Sequence, residues 1–357
     1  MASLLTRILS FAVALVVLAL PARADEPFYK NKRLTLLINF AIGGPADVEG
    51  RLFAKYIGRH IAGEPTVLVQ NMDGAGGVVG AKYLGAVAPR DGSIVGYFTG
   101  TGFIYALDPS RFDPDFTSYA FVAIQGGATV AYMRSDVPPG IKTPADIMNA
   151  KGLIVGGLSV DTSKDIRMRL VLDMLGLPYK YVTGYRSSAP ARLAFQRGEI
   201  NIFSESTPSY RSIVVPDLIQ RGKAVGLWYD AGDSAEAAAQ VEGLPVSPVI
   251  DFYKKIKGTP PSGPLWDNYR AVNSIEGAML RMICFPPGTP AAARDALAAA
   301  IAKLNTDKDH AADAVRTIGF VPQWQVGPNV NDTVRSIVTL PANTRTFLND
   351  YIKAANK

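Results

Sequence analysis

Twice within the first eighty residues an apolar stretch with strand character runs into a glycine-rich turn and then into an amphipathic helical stretch. Residues 34–40 lead into Ala41-Ile42-Gly43-Gly44-Pro45-Ala46-Asp47, and residues 66–70 lead into Asn71-Met72-Asp73-Gly74-Ala75-Gly76-Gly77. Glycines at such turns let backbone amides approach a ligand, and the helix that follows aims its free N–H groups at whatever sits there. Two turns of this kind side by side form a receptor for an anion.

The alternation continues almost to the end. Strand is expected at 94–99, 121–124, 129–133, 153–155, 179–182, 200–203, 224–228 and 279–285, and helix at 163–175, 189–197, 208–221 and 291–304. Ile166, Leu170 and Met174 recur at i, i+4, i+8, which predicts one apolar face on the 163–175 helix. Residues 121–133 offer strand that can cross between domains. Residues 243–264 turn to Pro, Gly and Lys and read as a surface excursion. Thr289 is expected to cap the 291–304 helix with Pro290 at its first position, and Pro341 to break the last helical stretch. Such alternation predicts an α/β fold with mostly parallel sheets covered on both faces.

The N-terminus reads as an export signal over residues 1–24. Arg7 precedes an apolar stretch of thirteen residues, 8–20, and Ala22-Arg23-Ala24 is a small-x-small cleavage site. Thirteen helical residues rise only about 20 Å, short of the roughly 30 Å of a bilayer core. The expected mature chain starts at Asp25 and works in the periplasm. With 48% hydrophobic and 19% charged residues, about 330 mature residues suffice for two domains. The net charge of +6 falls to +4 once Arg7 and Arg23 leave, since that segment holds no acid. This mild, dispersed charge without aromatic interleaving argues against nucleic acid as a partner. Cys284 is alone in an apolar strand, and His60 and His310 lack the spacing of a metal site, so no metal and no cofactor is expected. His310 is expected on a solvated helix face.

The chain resembles the extracytoplasmic solute receptors of tripartite tricarboxylate transporters, the Bug/TctC receptors. The resemblance rests on Phe40-Ala41-Ile42-Gly43-Gly44-Pro45-Ala46-Asp47 with Arg51, on Asn71 with Gly74-Ala75-Gly76-Gly77, and on Pro89-Arg90-Asp91-Gly92. Tyr185-Arg186-Ser187-Ser188-Ala189-Pro190, Gly198-Glu199-Ile200-Asn201 with Pro208, and Pro286-Pro287-Gly288-Thr289-Pro290 complete it. It implies a periplasmic-binding-protein type II (Venus flytrap) fold: domain 1 from 25–125 plus about 229–357, domain 2 from about 126–228, and a ligand cleft between them. It also implies a monomer that is not an enzyme and that hands a small carboxylate to the large and small membrane components of a permease.

Carried onto this chain, the first-domain ligand contacts fall to Phe40, Ala41, Gly43, Gly44, Asn71, Gly76, Gly77, Thr99 and Thr101. Asp47 is expected to brace its loop, because a carboxylate beside an anionic ligand repels it. The second-domain turn after the 153–155 strand, Gly156-Gly157-Leu158-Ser159-Val160-Asp161-Thr162-Ser163, departs from the family's pattern. There Ser159, Thr162 and Ser163 are candidates for a distal polar group, with helix capping as the alternative, favoured for Asp161. Tyr185, Arg186, Ser187 and Glu205 complete the expected wall, Arg186 for a distal carboxylate and Glu205 for an amine or hydroxyl.

Two enzyme readings compete. Gly74-Ala75-Gly76-Gly77-Val78-Val79-Gly80 approaches a dinucleotide fingerprint, but its third glycine is one position late and Asp91 sits in a turn. Ser159 with His310 gives a serine hydrolase, but Gly157-Leu158-Ser159-Val160-Asp161 lacks the second glycine of the nucleophile elbow. A receptor that senses ligand without feeding a permease needs the same closed cleft.

Overall fold

The computed structural model describes residues 26–355, so the expected signal segment lies outside the described residues. Twelve strands form two six-stranded sheets. The first contains β1 (Arg33–Ile38), β2 (Thr66–Asn71), β3 (Ile94–Thr99), β4 (Ala120–Gln125), β11 (Arg281–Phe285) and β12 (Gln325–Val326) in the order β12-β4-β11-β3-β1-β2. The second contains β5 (Thr129–Arg134), β6 (Leu153–Gly156), β7 (Tyr179–Val182), β8 (Ile202–Ser206), β9 (Ala224–Asp230) and β10 (Ser247–Pro248) in the order β10-β9-β5-β8-β6-β7. The inner strands of the first sheet are nearly continuous apolar runs, as strands covered on both faces must be, whereas the edge strand β2 stays partly exposed along its length.

The two sheets repeat one plan. Three parallel strands, β2-β1-β3 or β7-β6-β8, are followed by one that runs against them, β11 or β5. The sheets are therefore mixed, with most strands running one way: β11 pairs antiparallel with β3 and β4, and β5 with β8 and β9. The cause is the crossing itself. After β4 the chain passes through residues 126–128 straight into β5, so β5 enters the second sheet from the end where its parallel strands finish. β11 enters the first sheet in the same way on the return.

That return is later than expected. β9 spans residue 229 and stays in the second sheet, as does β10, and the "surface excursion" holds the helix Val249–Lys257, whose Val249 and Phe252 are buried. Phe252 lies 5.1 Å from the Trp228 ring, so a short apolar pair anchors a segment otherwise rich in Lys and Gly. The helix Pro264–Met279 then carries the chain back. It runs to Met279, and β11 begins only at Arg281.

Other local expectations shift for identifiable reasons. The helix Ser163–Leu175 is buried on every side through Leu172, including Lys164, Asp165, Arg167 and Arg169, because the 264–279 helix covers the face expected to meet solvent. Pro290 is itself the cap of the Ala291–Leu304 helix, and the Thr289 hydroxyl donates instead to the Pro286 carbonyl (3.0 Å). His310 is buried beneath the Tyr56 ring, at 5.5 Å, and burial lowers its basicity. Cys284 is buried in β11 as expected, and burial pushes its thiol up.

Candidate functional site

In open α/β sheets ligands bind beyond the carboxyl ends of the parallel strands. Here those ends face one another across the two sheets. β1 and β3 deliver Phe40, Thr99 and Gly100, and the second-domain turns deliver Leu158, Thr162, Ser163, Ser187 and Ser206. All of these line one cavity, together with Gly44, Pro45, Ala46 and Gly76. The antiparallel strands begin where the parallel ones end, so their first residues, Thr129 and Arg281, form the floor. Space for the centres of water-sized groups is about 60 Å³, at roughly 10–15 Å³ per group the scale of a small acid and not of a dinucleotide.

The walls touch, so the cleft is closed. A Cβ on Gly44 would lie 3.4 Å from the Ser187 Cβ, and one on Gly76 would lie 3.3 Å from the Thr162 methyl. Arg186 forms a two-pronged pair with Asp73 across the cleft mouth (2.7 and 2.8 Å), and Arg111 pairs with Asp161 on another side.

Electrostatically the cavity sits where helices begin. Gly44 precedes the helix Pro45–Ile57, Thr162 precedes Ser163–Leu175, and Ser187 precedes Ser188–Arg197, so three N-terminal turns converge on it. Lys164 and Arg281 add side-chain cations. The Lys164 ammonium pairs with Asp165 (2.6 Å) and lies 4.3 Å over the Phe203 ring. Arg281 donates from Nε to Glu49 (2.8 Å) and from Nη1 to the Thr99 hydroxyl (2.8 Å), while its buried Nη2 has no hydrogen-bond partner among the described residues. Among the described residues Glu276, on the last turn of the 264–279 helix, is the one carboxylate that lines the cavity.

Beneath this layer a second set of bonds fixes the loops. Asp47 accepts from the Gly43 amide (3.0 Å), Arg51 (2.9 Å) and Asn71 (3.0 Å). Burial pushes its carboxyl up, but these donors outweigh burial and hold it below its usual value. Asn39 ties the amide and carbonyl of Thr99 (3.1 and 3.0 Å). Asp165 accepts the amides of Leu158 (2.6 Å) and Ser159 (3.1 Å), which sets the second-domain turn. Arg167 reaches Asn273 (2.6 Å) and Thr129 (3.3 Å), and Thr129 bonds Asp230 (3.1 Å), joining the long central helix to the crossing strand.

Of the residues expected at the site, Phe40, Gly44, Gly76, Thr99, Thr162, Ser163 and Ser187 line the cavity. The others are spent elsewhere. The Gly43 amide is committed to Asp47, and Ala41 lies on the same loop outside the lining. Asn71 donates to the Phe40 carbonyl (2.9 Å) and to Asp47, so it braces the loop. Gly77 has φ +97° and presses against Asn39, and the buried Thr101 hydroxyl faces the Met282 sulfur at 3.7 Å.

In the second domain the Ser159 hydroxyl bonds Asp161, which pairs with Arg111 and does not cap the helix. Tyr185 packs beside the second-domain core, and Arg186 is held by Asp73. Glu205 is fully buried against Arg192 (2.5 Å) and Tyr132 (2.9 Å), away from the cavity. Ser159 and His310 are not brought together as a hydrolase would require, since each has its own partner in a different domain. Among the described residues no His, Cys, Asp and Glu group could hold a metal, and no helix is long and apolar enough to cross a membrane.

Ser188, from the expected Tyr185 to Ser188 turn, lines the cavity, and Lys164, Thr129, Ser206, Glu276 and Arg281 line it without having been anticipated. Two signals existed. A polar residue opens each of the antiparallel strands, and Glu276 interrupts the apolar stripe formed by Tyr269, Val272 and Met279.

No protein-family model matches the chain. A UPF0065 protein from the TAR-I ttuE-ttuC′ intergenic region of Agrobacterium vitis is 30% identical over 206 residues, 55% of this chain and 57% of the relative. The chain thus aligns with little more than half of that relative's length. Among solved structures, periplasmic binding protein BugD superposes with a TM-score of 0.64 at 18% identity, over 90% of this chain and 98% of that one. MatC from Rhodopseudomonas palustris with bound malate gives 0.65 at 17% identity, over 90% and 99%. The resemblance drawn from the sequence therefore holds: the chain is similar to a UPF0065 protein and has the two-domain α/β fold of Bug-type periplasmic binding proteins.

Proposed function

We propose that the protein is an exported solute receptor that traps a small carboxylate between its domains and presents it to a tripartite tricarboxylate-type permease. The observation that carries this reading is the convergence of three helix N-termini, with Lys164 and Arg281, on one closed cavity of small-acid size. The malate bound by MatC, a protein of the same fold, agrees with it. In this reading the first domain is 26–125 with 281–355, the second is 129–257, and Pro264–Met279 is the return connection. The ligand meets the first domain's backbone turns while the cleft is open. Closure then brings Thr162, Ser163 and Ser187 onto it. The protein is a carrier and not a catalyst, cleaved after residue 24 and periplasmic.

A thermal-shift screen of residues 25–357 against mono-, di- and tricarboxylates, amino acids and nucleotides tests this. Ligand at 100 times its dissociation constant stabilises by about 2.7 kcal/mol. A carboxylate response that disappears in Gly44→Val supports the reading. Gly44 has φ −85°, which valine adopts without strain, so the substitution blocks closure against Ser187 and leaves the fold intact. A response to nucleotides with none to any acid overturns it.

A further inference from the structure

Resting on the carboxylate reading of the cleft, we infer that the ligand also carries an ammonium group, and that Glu276 receives it. Two buried, unsatisfied groups of opposite charge line the cavity. The free Nη2 of Arg281, together with the helix N-termini, suits a carboxylate. Glu276 is only 2% exposed, and its Oε1 has no hydrogen-bond partner among the described residues. A buried carboxylate without a paired cation is costly, and the costs fall when a cation enters.

The cations nearest to Glu276 do not fill that role. Arg167 is committed to Asn273 and Thr129, Lys164 to Asp165, and Arg281 through Nε and Nη1 to Glu49 and Thr99, which leaves only its Nη2 for the ligand carboxylate. Burial raises the Glu276 carboxyl, against the pull of Arg167, the Ser163 hydroxyl and Arg281. An ammonium at Oε1 completes the balance that these groups leave open. A second observation points the same way. Glu276 stands on the last turn of a sixteen-residue helix, where the free carbonyls carry partial negative charge and also favour a cation. The ligand that satisfies both groups is a zwitterion, an amino acid with its carboxylate toward Arg281 and its ammonium toward Glu276.

Chain-matched acids that differ at one carbon by hydrogen, hydroxyl or ammonium separate the possibilities by calorimetry. The sets are propionate, lactate and alanine; succinate, malate and aspartate; glutarate, 2-hydroxyglutarate and glutamate. In the set of the right length the amino acid is expected to bind at least about tenfold tighter than its two analogues. Glu276→Gln is expected to bring the three within about threefold of one another. Plain or hydroxy acids that bind as well as the amino acid overturn the inference and leave carboxylate capture standing, as does a preference that survives Glu276→Gln. The unsubstituted protein decides the matter even if that variant folds poorly. No binding by any acid removes the carboxylate reading, and this inference with it.

Discussion

The two walls of the cleft recognise a ligand by different means. The first-domain wall is mostly backbone: Gly44, Gly76 and Gly100 line it, with Thr99 as its polar side chain. The facing wall and the floor are side chains: Thr162, Ser163, Lys164, Ser187, Ser206, Glu276 and Arg281. A wall of glycine backbone has a fixed shape and suits any carboxylate. A wall of hydroxyls and buried charges can be retuned one residue at a time, so it is where a receptor of this fold acquires its choice of ligand.

The largest effect expected from breaking this contrast is at the floor. Arg281→Met leaves Glu49 buried with Gln125 as its remaining side-chain partner (3.2 Å), and losing one member of a buried pair costs about 3–5 kcal/mol. Urea unfolding should show that loss, and Glu49→Gln added to it should restore most of the stability. If the double variant is as unstable as the single one, Arg281 holds the floor by packing and not by charge.

The next largest lies in the backbone wall. Gly77 has φ +97°, and a Cβ there would stand 2.3 Å from the Asn39 amide nitrogen. Asn39 also fixes Thr99. Gly77→Ala should therefore cost about 2–3 kcal/mol of stability in urea unfolding. The same strain displaces the Thr99 end of the first wall and weakens binding of every acid alike. A loss confined to some acids would give this wall a selectivity that its backbone character does not predict.

This contrast also separates what the sequence makes legible from what it hides. Glycine-rich turns announce themselves because few residues tolerate φ near +90°, so the loops at Gly43 and Gly77 are legible together with the strands that lead to them. The charges were hidden because their burial is tertiary. Arg281 follows a helix and opens a strand, and only the antiparallel insertion of β11 turns its side chain into the floor of a cleft. Glu205 looked like the acid for an amine, but its neighbours Arg192 and Tyr132 come from distant strand and helix positions that consume it. Glu276 takes the lining position from a helix that the Pro- and Lys-rich run before it obscured.

A smaller effect sharpens the comparison on the second wall. The Ser187 hydroxyl is buried, lines the cavity and has no partner among the described residues. Ser187→Ala should leave stability nearly unchanged and weaken ligand binding by about 1 kcal/mol, near fivefold, the contribution of one hydrogen bond. Equal losses in calorimetry and in urea would make Ser187 a packing residue.

The smallest effect belongs to the latch at the cleft mouth. Arg186 is largely exposed, and its pair with Asp73 sits in water, where salt screens it. Asp73 is held below its usual value first by the hydrogen bond from Arg186, which burial partly opposes, so the pair persists at neutral pH. It bridges the domains only when they are closed, and so it acts on release more than on capture. Arg186→Ala should speed ligand dissociation slightly at low ionic strength and not at all in high salt. The Gly44→Val variant, blocked from closing, should be indifferent to the same change. A large effect of Arg186→Ala that persists in salt would mean that the guanidinium touches ligand, and the second wall would then extend to the cleft mouth.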